Sequence, residues 1–102
     1  MKLKRVLQYA QDLLADAIEE GATVVDATAG NGHDTLFLAK LVGDSGQVYA
    51  FDVQKEAVDA TLLRLLDEGL EHRALVLKDG HENVAKYVTK PVSAAVFNLG
   101  YL

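Results

Sequence analysis

Residues 24–34 read Val-Val-Asp-Ala-Thr-Ala-Gly-Asn-Gly-His-Asp, and Asp52 stands twenty residues after Gly32. The continuous apolar, β-branched run from Thr23 to Ala27 reads as a strand buried on both faces, and it enters a small-residue turn containing Gly-x-Gly. Glycines in such a turn let backbone approach a ligand, and a carboxylate ending the next strand is placed to accept ribose hydroxyls. That pattern restricts the chain to α/β folds that hold a nucleoside-type cofactor.

The remaining periodicities agree. Leu3, Val6, Leu7, Ala10, Leu13, Leu14, Ala17 and Ile18 recur at helical spacing, predicting an amphipathic first helix that ends by Gly21. A second helix is expected from His33 or Asp34 to a stop near Gly43, carrying Leu36, Phe37, Leu38 and Leu41. Val48 to Phe51 reads as a second strand, ending at Asp52. A third helix spans roughly Lys55 to Glu68, with Ala57, Val58, Leu62, Leu65 and Leu66 expected to face inward. Arg73 to Leu77 reads as a third strand, Gly80 to Val88 as a weaker helix, and Ser93 to Phe97 as a fourth strand. Alternating strands and helices imply βαβ crossovers and a Rossmann-like parallel sheet with flanking helices, in the order 3-2-1-4. Ligands then sit at the carboxyl ends of the strands, beside the switch between strands 1 and 4.

At 102 residues, half of them hydrophobic and a quarter charged, the chain is expected to form a single domain with a packed core. It holds no cysteine, which excludes disulfides and thiolate metal ligation, and no histidine–acid spacing of a metal site is recognisable. No apolar run reaches the roughly 20 residues of a membrane helix, so a soluble, cytoplasmic protein is expected. The net charge of −5 gives no general attraction for a polyanion; Lys2, Lys4 and Arg5 form the only local basic group. Strand 4 would leave an apolar outer edge, which invites dimerisation, aggregation or pairing with the strands of a missing C-terminal half.

The turn can be set against other glycine-rich loops. The Gly-Lys-Ser/Thr of a P-loop is absent, and the third glycine of a dinucleotide fingerprint is replaced by Thr35. A ligand with adenosine and no pyrophosphate fits better, S-adenosylmethionine being the commonest. Asp26 would then lie at the base of the pocket near the methionyl ammonium, with Gly30 and Gly32 allowing close approach. Asp52 would take both ribose hydroxyls and Asp79 the adenine amino group. Asn98 and Tyr101, in Asn98-Leu99-Gly100-Tyr101 after the fourth strand, could hold a neutral amine in line with the methyl–sulfur bond. His33 and His81 border the same face and could take a proton, although such histidines more often just hydrogen-bond at a helix start. A solitary aspartate after a strand is usually a cap; five matching positions on three successive strands argue for a site.

Together, Asp26 to Thr35, Phe51-Asp52-Val53-Gln54 and Phe97 to Leu102 resemble a class I methyltransferase, and more narrowly the rRNA methylase family now associated with tRNA 5-aminomethyl-2-thiouridine methylation. General methyltransferases carry Gly where this chain has Thr28, so the likeness is to the narrower family. The resemblance implies that Asp26, Thr28, Gly30, Asn31 and Gly32 form the first cofactor motif, with His33 and Asp34 beside it. Asp52 and Gln54 would hold the ribose and adenine side, while Asp79, Gly80 and His81 would flank the adenine. Leu99 and Gly100 stand where amine methyltransferases carry prolines. The family's chains continue past Tyr101-Leu102, so residues 1–102 are expected to be the cofactor-binding half of the fold. Two other functions stay open: a cofactor-binding module without turnover, and a nicotinamide-dependent oxidoreductase.

Overall fold

A computed structural model describes residues 2–97. The side chains of residues 2–4, 6 and 7 lie outside that description. The element order is α1 (Lys2–Ala17), β1 (Thr23–Asp26), α2 (His33–Val42), β2 (Gln47–Asp52), α3 (Lys55–Asp67), β3 (Ala74–Lys78) and β4 (Ala94–Val96). Short 3-10 helices at Glu71–Arg73 and His81–Lys86 precede and follow β3. The first has no counterpart among the elements expected from sequence, and the second is the short helix expected over Gly80 to Val88, wound as 3-10.

The four strands form one parallel sheet in the order β3-β2-β1-β4, as the alternation of elements requires. Val25 stands between Tyr49 on one side and Ala95 on the other, and Asp52 stands opposite Lys78. Every residue of β1 is buried, which is why its sequence does not alternate. Ile18, Val24, Leu38, Ala39, Val42, Val48 and Leu65 make the core between sheet and helices. No helix among the described residues is long and apolar enough to cross a membrane.

The inward face of α3 differs from expectation. Thr61 and Leu65 are its buried residues, while Leu62 and Leu66 are exposed (37% and 54%). A residue one step along a helix is rotated by about 100°, so a stripe centred on Thr61 and Leu65 turns both leucines outward. In α1, Leu13 and Ala17 are likewise exposed, and the helix reaches the core through Leu14 with Ile18 just beyond its end.

Candidate cofactor site

The carboxyl ends of β1, β2 and β3 converge on one cavity of about 250 Å³. β1 contributes Ala27 and Thr28 to its wall, β2 contributes Asp52 and Val53, and β3 leads to Asp79, Gly80, His81 and Glu82. A second concavity, of about 260 Å³, lies at the opposite end, lined by Ala17, Glu19, Glu20, Gly21, Ala22 and Ser93. It sits where the strands begin, and open α/β sheets bind ligands where strands finish. The first cavity is the candidate site.

The loop after β1 is fixed from several directions. Asp52 Oδ2 accepts the Gly30 N–H at 3.0 Å, and its Oδ1 accepts the Gln54 N–H at 2.9 Å. Thr61 Oγ1 donates to the Gly30 carbonyl at 3.3 Å, and Arg64 Nε donates to the Asn31 carbonyl at 2.9 Å. The Ala29 N–H reaches the Phe51 carbonyl at 2.8 Å, and the Ala27 N–H reaches that of Val96 at 2.8 Å. Three elements, β2, α3 and β4, therefore determine one glycine-rich turn.

Each glycine of that turn has its own task. Gly30 and Gly32 both adopt positive φ, 55° and 87°. Gly32 is buried, and a Cβ there would come within 2.8 Å of the Thr61 Cα. Its missing side chain makes room for α3, so its close approach is to a helix and not to the cavity.

Asp26 lies below the turn, fully shielded from solvent. It accepts the Thr28 N–H on Oδ1 at 3.2 Å and the Thr35 hydroxyl on Oδ2 at 2.7 Å. Burial pushes its carboxyl up to about 6, opposed by the bonds from Thr35 and Thr28 and aided by the charges of Asp34 and Asp52.

Asp79 is held by its own loop. Its Oδ1 accepts the Gly80 N–H and Asn83 Nδ2, and its Oδ2 accepts the Tyr87 hydroxyl, each at 2.8 Å. The Asn83 bond foremost, then those of Tyr87 and Gly80, hold this carboxyl below its usual range, so it is an ionised acceptor near neutral pH.

Of the residues singled out from sequence, Thr28, Asp52, Asp79, Gly80 and His81 meet at the cavity wall. Asp26, Gly30, Asn31, Gly32 and Gln54 build or pin the turns behind it. His33 and Asp34 open α2, His33 exposed and Asp34 half-buried. His81 is exposed and meets Phe97 edge-on, ring centroids 5.3 Å apart. Asn98 and Tyr101 lie outside the described residues, and no cluster of metal-ligating side chains is found among those described. Sequence reasoning passed over Val53, Asn83, Tyr87, Thr61 and Arg64. Val53 carried a legible signal: an apolar residue directly after the strand-2 acid, 67% exposed and on the cavity wall.

The acceptor set suits an adenosyl group. Two carboxylates on adjacent strand ends can accept ribose hydroxyls and an amino group, and Val53 offers an apolar surface for a ring. Residues 48–102 match the family described as "Putative rRNA methylase". The chain belongs to this family. Among curated relatives, the chloroplastic tRNA (mnm5s2U34)-methyltransferase of Arabidopsis thaliana is 37% identical over 97% of this chain and 40% of its own length. Among solved structures, the "putative rRNA-methylase" of Clostridium thermocellum is 50% identical with a TM-score of 0.89, covering 94% of this chain and 52% of its own. SMU.1697c of Streptococcus mutans, solved in complex with SAH, is 40% identical with a TM-score of 0.83 and the same coverage. The chain thus spans about two-fifths to one-half of the length of these family relatives.

Proposed function

We propose that the chain binds S-adenosylmethionine and serves N-methylation of RNA in the cytoplasm, the substrate being the aminomethyl group of a tRNA wobble uridine. The observation that carries the proposal is the pair Asp52 and Asp79 on adjacent strand ends, walling one cavity in a chain 40% identical to a protein solved with SAH. When bound, the cofactor supplies an electrophilic methyl group on a sulfonium. Asp52 accepts ribose hydroxyls while keeping the Gly30 and Gln54 amides, and Asp79 accepts the adenine amino group. The turn from Thr28 to Gly32, with Asp26 beneath it, faces the methionyl end. Asn98 and Tyr101 orient the neutral amine, and His81, exposed on the cavity rim, is available to take its proton.

The likeness to the Arabidopsis enzyme supports the choice of substrate. Incubating the protein with methyl-labelled cofactor and tRNA bearing an unmethylated aminomethyl uridine should place label on that nucleoside. Label on no RNA contradicts the substrate assignment. Binding of SAH without transfer would support a second reading, cofactor binding without turnover. Among the described residues β4 pairs with β1 alone, which leaves its outer edge for a second copy or further strands, and sedimentation as a monomer would count against self-pairing.

A further inference from the structure

Tyr87 and Asn83 belong to no motif and do not line the cavity, yet both end on a carboxylate that does. A carboxylate offers about four acceptor positions, two on each oxygen. Gly80 N–H and Asn83 Nδ2 take both positions on Oδ1, and the Tyr87 hydroxyl takes one on Oδ2. Among the described residues, one position on Oδ2 remains for a ligand. Tyr87 is itself anchored: its ring meets that of fully buried Phe51 edge-on, centroids 5.8 Å apart. Phe51 immediately precedes Asp52, so the Tyr87 ring ties the Asp52 and Asp79 carboxylates to a common support.

From this geometry we infer that Tyr87 and Asn83 are positioning residues that turn Asp79 into a single-acceptor reader of the purine 6-position. The inference rests on the adenosyl reading above. An amino group at that position donates to the remaining lone pair. A 6-oxo group sets lone pair against lone pair, and its adjacent N1–H cannot reach an acceptor held at the 6-position, which is how a polar site rejects a near-isostere. Release of Asp79 from its two side-chain donors lets the carboxylate rotate, and discrimination falls.

The test compares S-adenosylhomocysteine with S-inosylhomocysteine, the same molecule carrying oxo in place of amino and a proton on N1. Affinities are measured by calorimetry on the wild-type chain, Tyr87→Phe and Asn83→Ala, each checked by thermal melting. Tyr87→Phe keeps the ring against Phe51 and removes only the hydroxyl. Wild type should prefer the adenosyl ligand by about tenfold or more. Either variant should cut that preference severalfold, chiefly by weakening the adenosyl ligand. An unchanged ratio, or equal weakening of both ligands, means a merely structural role and overturns the inference. If one variant does not fold, the other gives the same reading. Failure of wild type to bind either ligand overturns the adenosyl reading itself, an outcome separate from loss of the ratio.

Discussion

The Thr35 hydroxyl donates to Asp26 Oδ2 at 2.7 Å, and both side chains are wholly buried. Counting from Gly30 and Gly32, Thr35 occupies the position where a dinucleotide fold carries its third glycine. Here that position carries a hydroxyl, and the hydroxyl satisfies a carboxylate that has no solvent. The same pair anchors the underside of the glycine turn, because the other oxygen of Asp26 holds the Thr28 amide. A departure that looks like a missing feature in the sequence is a fastening in the fold.

The fastening makes stability depend on pH. The Asp26 carboxyl is raised by burial from an ordinary 3.8 to about 6 in the folded chain. Between those values the folded state holds a proton that the unfolded state has released, so stability falls as pH rises. Asp26→Asn removes the titration while keeping groups able to bond Thr28 and Thr35. In urea denaturation, wild type should lose about 2–3 kcal/mol relative to Asp26→Asn between about pH 4 and pH 7. A difference that stays constant with pH would contradict the burial of an ionisable Asp26.

Gly32→Ala tests the junction of α2 and α3. The new methyl would stand 2.8 Å from the Thr61 Cα in a backbone with φ of 87°. Strain at positive φ and overpacking each cost about 1–3 kcal/mol, so the variant should lose about 2–6 kcal/mol of stability. Full stability in chemical denaturation would mean that α3 does not press on the turn as described.

Asp52→Ala removes the acceptor for the Gly30 and Gln54 amides as well as the proposed ribose contact. Its affinity for S-adenosylhomocysteine should fall by about 1.5–3 kcal/mol, the usual range for hydrogen bonds to a charged group. Asp52→Asn retains one acceptor oxygen and should fall by less. Unchanged affinity in both variants would remove Asp52 from the site.

Thr61→Val probes the turn from the side of α3. It strips the hydroxyl that donates to the Gly30 carbonyl and leaves that carbonyl short of a donor. A stability loss of about 1 kcal/mol is expected, with a measurable weakening of cofactor affinity. No change in either quantity would show that Arg64 and Asp52 suffice to hold the turn.

The sheet was legible because its signals are local. β1 is a run of buried β-branched residues, Gly43 stops α2, and Asp52 closes β2, so strand order and helix limits follow from spacing. The three acids were legible for the same reason, each standing at or just past a strand end. The inner face of α3 was not. Leucine counting favoured Leu62 and Leu66, but the helix is oriented by Thr61, small enough to press its backbone on Gly32 and polar enough to bond the Gly30 carbonyl. That choice depends on a partner twenty-nine residues away, which no periodicity in α3 records. Tyr87 and Asn83 escaped notice similarly, since their meaning lies in the Asp79 carboxylate to which they return.

The most direct test is backbone amide mapping by NMR as S-adenosylhomocysteine is added to the chain. Shifts should concentrate at Thr28 to Gly32, Asp52 to Gln54 and Asp79 to Glu82, the three loops at the carboxyl ends of β1, β2 and β3. Absence of shifts at saturating ligand, or shifts confined to Glu19–Ala22 and Ser93 at the opposite end, would contradict the proposed cofactor site.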